Sequence, residues 1–202
     1  MQWAPSPSGC FSTTSAWKAL RRARPVVPWH KLVWFSGFIP KASFILWLAV
    51  KQRLGTQDRL FAPLNTGCLL CWHHLENHDH LFFECSITKQ IWTTMLSKCG
   101  CQFQSLKWMD YIQWMATHWQ GNSLPTRIRK LTLAATVYTI WMERNDRFHT
   151  NSFRNVGSIV GTISNLIRSK LLSLEGIEDN GPNRIVQHQW SLPDSIFSLA
   201  TH

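Results

Sequence analysis

The sequence lacks any hydrophobic run long enough to cross a membrane. Its longest apolar stretches, "ASFILWLAV" and "LTLAATVYTIWM", fall short of the roughly 18 residues that a spanning helix needs. The N-terminal stretch "MQWAPSPSGCF" contains no apolar segment of signal-peptide length. We therefore expect no membrane partner and an intracellular protein, nuclear or cytoplasmic, that is not secreted.

Acidic residues are also scarce, and their spacing argues against nucleotidyl-transfer chemistry. The chain has 11 Asp and Glu against 21 Lys and Arg. Polymerases hold two metal ions between paired carboxylates, but the aspartates here are scattered and none is adjacent to another. No strand pattern supports the carboxylate cluster of a ribonuclease H, and no phosphate loop or nucleophile triad stands out. The sequence therefore predicts a protein that is not an enzyme by itself.

Positive charge is concentrated in the first 60 residues. That segment has a net charge of +8, whereas residues 61–125 have −1 and residues 126–202 have +3. Such a segment is typical of a surface that contacts nucleic-acid phosphates, although it would also keep a Trp-rich protein soluble. The candidate phosphate-binding residues are Arg21, Arg22, Arg24, Lys31, Lys41, Lys51, Arg53 and Arg59.

Hydrophobic periodicity indicates a mostly α protein, because strand-type alternation is weak throughout. The pattern predicts that Phe44, Trp47, Leu48 and Leu54 face the core. It predicts a helix capped by Thr14 or Ser15, helices over about 29–36 and 40–53, a short one after Thr56, one capped by Ser86, and others over about 105–119, 125–148 and 155–176.

Cysteine and histidine are crowded into residues 68–85, "CLLCWHHLENHDHLFFEC". In a reducing compartment such a cluster indicates a metal site before a disulfide. Cys68 and Cys71 are three residues apart, so one ion can bind both thiolates, and Cys85 is the remaining local cysteine. We expect the apolar residues Leu81–Phe83 to pack against the site and exclude water.

The fourth ligand must be a histidine. The five-residue offset between His80 and Cys85 lets one short turn present both side chains, which favours His80. His78 is the alternative, whereas His73 and His74 lie too close to the first cysteine pair. The remaining pair in "KCGCQ" completes no second site.

Three blocks of the sequence share a pattern with a known family. They are "FSTTSAWKAL"; then Trp29, Trp34, Pro40, Lys41, Phe44, Trp47, Leu54, Thr56, Asp58 and Leu60; then Cys68, Cys71, Glu76, "HLFFEC" and Trp92. Because of these three blocks, about residues 10–95 of the chain resemble the reverse-transcriptase zinc-binding domain of plant LINE-type non-LTR retrotransposons. The stretch "IWMERNDRFH" is similar to a segment that follows this domain in such elements.

The resemblance implies a non-catalytic accessory module that follows a polymerase, with a structural Zn²⁺ held by Cys68, Cys71, His80 and Cys85. We expect a helical domain over 10–98 with a zinc-stabilised Cys/His knuckle, C-terminal helices over 104–175, and a flexible polar tail over 176–202. The basic N-terminal region would contact RNA or DNA. The alternatives are a zinc-stabilised helical module that binds a protein partner through exposed Trp and Met side chains, and a retroelement remnant without function.

Overall fold

The chain folds into α-helices around one apolar core, as a computed structural model shows. The structure describes residues 4 and 7 and the ranges 9–22, 25–60, 67–104 and 106–197. No strand occurs in these ranges, which confirms the predicted fold class. The helices are α1 (Thr13–Leu20), α2 (His30–Val33), α3 (Pro40–Val50), α4 (Ser86–Ser97), α5 (Trp108–His118), α6 (Leu124–Thr150), α7 (Val156–Leu171) and α8 (Gly181–Gln189), with single turns at Gln57–Arg59, His80–Glu84 and Asp194–Ile196.

The 27-residue helix α6 is the centre of the molecule. It begins at the cap Ser123, whose side chain accepts a hydrogen bond from the Thr126 N–H, and it ends at Asn151 in the left-handed conformation. Helices α3, α4, α7 and α8 pack around it, and its middle, residues 131–137, is buried on all sides. None of the helices described, α6 included, combines the length and apolar character needed to cross a membrane.

Helix α1 lies outside the core. Ser12 caps it, rather than Thr14 or Ser15, because the Ser12 side chain accepts from the Ser15 N–H while the Ser15 hydroxyl bonds back to residue 12. None of its residues is buried, and Trp17 and Leu20 are 65% and 82% exposed. The helix therefore presents apolar side chains to its surroundings.

Several predicted helix boundaries and faces need correction. Helix α3 ends at Val50, and Cys85, not Ser86, is the N-terminal cap of α4. Leu54 is buried and Trp47 packs against the core, but Phe44 is 51% exposed. In α3 the buried face is formed mainly by small residues and Leu46, so the large ring of Phe44 remains outside.

The segment predicted as a polar tail, residues 176–202, is structured as far as residue 197. The side chain of Asn180 caps helix α8. Val186, Trp190 and Leu192 are buried in the same core as the preceding helices. The segment expected to be a flexible polar tail therefore contains a helix, whose few well-spaced apolar side chains pack into the core.

Candidate metal centre

A tight loop positions the first two cysteines. Its base is closed by a hydrogen bond from the Cys68 N–H to the His74 carbonyl, 2.7 Å long. The Trp72 N–H donates to the Cys68 carbonyl (2.8 Å), and Trp72 has a φ of 63°. A non-glycine residue in this left-handed region is uncommon and marks a forced reversal of the chain. The reversal brings the Cys71 thiol back beside the Cys68 thiol.

His80 begins a single π-helical turn, His80–Glu84, and Cys85 caps its C-terminal end. The Cys85 N–H donates to the His80 carbonyl at 2.8 Å, five residues back. In an α-helix five residues rotate the chain by about 500°, which would leave the two side chains about 140° apart. The wider π turn, with its i→i+5 hydrogen bond, brings the two side chains closer to one face than an α-helix would. Asn77 fixes the start of the turn, because its side-chain oxygen accepts from the His80 N–H (2.8 Å).

The structure brings together the four side chains predicted as ligands: Cys68, Cys71, His80 and Cys85. All four residues are buried, and one donor atom from each lies within 4.8 Å of the others. The Cys71 Sγ lies 3.3 Å from the His80 Nε2. Bond lengths of tetrahedral zinc imply donor separations of about 3.5–3.8 Å. Three sulfurs and one imidazole nitrogen therefore fit a tetrahedral metal ion after shifts of about 1 Å or less.

The thiols of Cys68 and Cys85 are hydrogen-bonded to each other. The hydrogen bond from Cys68 lowers the pKa of Cys85 despite burial, and the backbone N–H groups of Thr88 and Ile87, at the start of α4, lower it further. The same hydrogen bond, together with burial, raises the pKa of Cys68. A metal ion bound here would hold both sulfurs as thiolates and replace the hydrogen bond between them.

His78, the alternative ligand, lies apart from this group. Its ring packs beside Phe82, with ring centroids 5.6 Å apart. Burial lowers the pKa of His78 to about 4, so the ring is neutral, and in the described part of the chain neither ring nitrogen has a hydrogen-bond partner. His73 and His74 are exposed. The group of donor atoms that lie within 4.8 Å of one another therefore contains His80 and not His78.

Aromatic side chains enclose the centre, as the sequence predicted for Leu81–Phe83. These three residues are at most 1% exposed. The rings of Phe82 and Phe83 each lie 5.0 Å from the Trp108 ring. The Trp92 indole N–H donates to the Phe82 carbonyl at 2.6 Å. This enclosure keeps water from the sulfurs and fixes the turn that carries His80.

A buried ion pair connects the loop to α6. Glu76 lies between Cys71 and His80 in the sequence and is 0% exposed, and Arg144 is 3% exposed. Arg144 donates to Glu76 Oε1 through Nε (3.1 Å) and Nη2 (2.9 Å). The same oxygen accepts from the Gln57 N–H at 2.9 Å. Glu76 therefore joins the metal-centre loop, the short turn before it and the central helix.

Arg147, one turn further along α6, holds the loop between the two cysteines. Its Nη1 donates to the carbonyls of Leu69 (3.1 Å) and Leu70 (2.9 Å). Its Nε donates to Glu143 Oε1 at 2.8 Å, and Arg154 donates to Glu143 Oε2 at 2.7 Å. The Arg147 guanidinium thus ties the loop backbone to a buried carboxylate. We call Glu76, Glu143, Arg144 and Arg147 the α6 brace.

Residue spacing in the sequence does not predict the α6 brace. The stretch "IWMERNDRFH" resembles a segment of the retrotransposon family, but the resemblance gives it no role. One local signal was present, because Glu143 and Arg147 are four residues apart and so share one helix face. Their contact with residues almost 80 positions earlier carries no local signal.

The predicted phosphate-binding residues are distributed over several elements. Arg21 and Arg22 line a cavity of about 460 Å³ together with Trp17 and His30. Lys31 and the same His30 line a second cavity of about 270 Å³. These two groups of cations are therefore adjacent.

The other predicted residues lie elsewhere. Lys41, Lys51 and Arg53 are exposed and line neither cavity. The guanidinium of Arg59 donates to the side chain and the carbonyl of Gln52. Arg24 lies outside the described residues. Contact of this set with nucleic acid stays a prediction.

Residues 11–92 match the protein-family model described as zinc-binding in reverse transcriptase. The match contains all four residues of the metal centre, so it supports a reverse-transcriptase zinc-binding domain over this segment. No curated protein and no solved structure matches the chain. The matched segment ends before α5, and it therefore includes Glu76 but not the three residues of the α6 brace that lie on the central helix.

Proposed function

We propose that the chain is the zinc-binding accessory module that follows the polymerase in a plant LINE-type non-LTR reverse transcriptase. The observation that carries this proposal is the convergence of Cys68, Cys71, His80 and Cys85 within the matched segment. Four protein ligands complete a tetrahedral shell, so the Zn²⁺ has a structural role and offers no position for a reacting water. The retrotransposon class and the plant origin rest on the sequence resemblance.

Zinc content is the first test. The purified chain is expected to hold one equivalent of Zn²⁺, and Co²⁺ in its place should give the thiolate charge-transfer bands of a three-sulfur site. Cys85→Ser should lose the metal, because it removes one ligand of four. His73→Ala is the matched control, since His73 is exposed and outside the group. A wild-type chain that retains no metal after gentle purification would contradict the proposal.

Within this proposal the module contacts RNA or DNA through its basic N-terminal region, in the nucleus or the cytoplasm. The support is the net charge of +8 over residues 1–60. A second support is that no Asp or Glu is among the described residues that line the two adjacent cavities containing Arg21, Arg22 and Lys31. Phosphate contacts release counter-ions, so binding must weaken steeply with salt.

Gel-shift titrations with single-stranded RNA, single-stranded DNA and duplex DNA at two salt concentrations test this contact. The proposal expects binding whose logarithm falls linearly with the logarithm of salt concentration. Binding that does not respond to salt, or no binding to any of the three, would contradict it. Because the carboxylates required for polymerase chemistry are absent, the chain should not incorporate nucleotides.

A protein-interaction module is the second candidate function. The observation that favours it is the exposure of large apolar side chains, with Trp17 at 65%, Trp72 at 54% and Met109 at 38%. Association through such residues buries apolar area and persists at high salt. The same salt series therefore distinguishes the two candidates.

A further inference from the structure

A second feature of the structure lies far along the chain from the metal centre. The cavity of about 270 Å³ next to α2 is also lined by Gly121, Asn122 and the Lys130 side chain from the first part of α6. Its cationic side chains are Lys31 and Lys130, with His30 at one side, and no carboxylate lines it. A concave site that contains only positive charge attracts anions.

Lys130 is the unusual member of this site. It is 2% exposed, its ammonium donates to the Gly121 carbonyl at 3.0 Å, and it lies 5.7 Å from the centroid of the Phe35 ring. An ammonium has three donors, and one carbonyl satisfies one of them. Burial and the nearby Lys31 lower the pKa of Lys130.

The other buried charges are balanced. Among the buried Lys, Arg, Asp and Glu side chains of the described ranges, Glu76 pairs with Arg144 and Glu143 pairs with Arg147 and Arg154. Lys130 is the one without an opposite charge within ion-pair distance. Buried unpaired cations are rare because they are unfavourable, and where they line a cavity they mark a ligand site.

We propose that Lys130 and Lys31 bind one phosphate group of a nucleic-acid strand in this cavity. The anion supplies the missing counter-charge and accepts the free ammonium donors. This inference rests on the proposed nucleic-acid contact and assigns one subsite to it. Lys130 was absent from the sequence-based set, because burial on a central helix is invisible in a charge count.

The structure favours a strand over a free phosphate ion. The cavity of about 460 Å³ shares His30 with the cavity that contains Lys130, and it is also lined by Arg21 and Arg22. Positively charged side chains therefore continue beyond the Lys130 site. Because the two cavities share His30, the phosphates of one strand can occupy both, whereas a single small anion occupies only one. Phosphate chains bind such tracks cooperatively and with strong salt dependence.

The test compares single-cation variants of the zinc-loaded full chain, with labelled single-stranded RNA and DNA of the same sequence as probes. We expect Lys130→Met and Lys31→Met each to weaken binding about tenfold and to lower the salt slope by about 1. Lys107→Met is the matched control, because it removes one exposed positive charge outside both cavities. It should change affinity less than twofold.

Thermal unfolding without nucleic acid separates binding from folding. Lys130→Met removes an unpaired buried charge, so its melting temperature should equal or exceed that of the wild type. If Lys130 had only a structural role, its replacement could weaken binding only by destabilising the fold. A Lys130→Met variant that is as stable as the wild type but binds more weakly therefore supports direct contact. Lys31 is exposed, so Lys31→Met gives the same binding test without a change in the core.

Three outcomes overturn the inference. If both variants bind like Lys107→Met while the wild type binds nucleic acid, the subsite is wrong and the proposed contact stands. If the wild type binds neither probe, both fail. If inorganic phosphate raises the melting temperature as much as the oligonucleotide does at equal phosphate concentration, the site is one for the free ion.

Discussion

Replacing Arg147 by Met is expected to detach the loop between Cys68 and Cys71 from α6. The variant loses the two hydrogen bonds to the carbonyls of Leu69 and Leu70, the one to the Glu143 carboxylate and the one to the Arg154 carbonyl. Hydrogen bonds from charged donors contribute about 1.5–3 kcal/mol each. The carbonyls regain water when the loop loosens, so we expect a net effect on the loop of about 2 kcal/mol.

That loss should appear in the affinity for metal. In the wild type, Arg147 holds the loop backbone near the conformation in which the thiols converge, whereas in the variant metal binding must also order the loop. A difference of 2 kcal/mol corresponds to about a 30-fold weaker zinc affinity, within the roughly 10–100-fold range observed for residues that orient metal ligands. Arg147→Lys should be intermediate, because an ammonium cannot reproduce the planar fork of the guanidinium.

The assay is competition for Zn²⁺ with a chromophoric chelator, together with urea unfolding of the metal-free and metal-loaded proteins. Arg184→Met is the matched control, because Arg184 also pairs with two carboxylates, Asp179 and Asp194, but on the exposed surface around α8. It should leave the zinc affinity unchanged. If Arg147→Met binds zinc within twofold of the wild type, Arg147 does not orient the loop and the reasoning is refuted, even if the variant unfolds more easily.

Two further predictions concern the same region. His80→Ala should release the metal, whereas His78→Ala should retain it, since His78 lies outside the donor group; the opposite result in a zinc-content measurement would reverse the ligand assignment. Burial alone would raise the pKa of Glu143, but the Arg154 backbone N–H and the Arg147 and Arg154 guanidinia outweigh it and lower the pKa below its ordinary value of 4.5. Its contribution to stability is therefore present above about pH 4.5 and is lost as the pH falls through the lowered value. In metal-free protein the stability gap between the wild type and Glu143→Gln should shrink with acid, and a gap that stays constant would show that the charge of Glu143 is irrelevant.

The donor set could be predicted from sequence because its members are close along the chain. Cys68 and Cys71 meet through one tight turn, and His80 and Cys85 meet through another. Spacing alone left His78 open, since choosing between the two histidines requires knowing that the turn is π-helical. The i→i+5 hydrogen bond from the Cys85 N–H depends on the packing of Phe82 and Phe83 against distant rings, which no local pattern contains.

Burial of charge was the least predictable property. Glu76 and Arg144 are 68 residues apart in the sequence, and each alone looks like an ordinary surface residue. Lys130 lies close to Arg127 and Arg129 in the sequence, and such a cluster of charges predicts a helix surface exposed to solvent. Of the three, only Lys130 is buried. The burial of apolar residues within 181–192 was also not predicted, because the few apolar side chains there stand in an otherwise polar sequence.

The metal centre depends on more of the chain than the segment that matches the zinc-binding family. All four donors lie within residues 11–92, but the carboxylate of Glu76 is neutralised by Arg144, and the loop carbonyls are held by Arg147. A buried carboxylate without its partner is strongly destabilising, so the loop geometry that brings the thiols together requires α6. Because α6 also carries Lys130 at its other end, one rigid helix connects the metal centre to the cationic cavity. The metal centre is therefore best understood as one anchor of α6, whose position also sets the geometry of the proposed phosphate site.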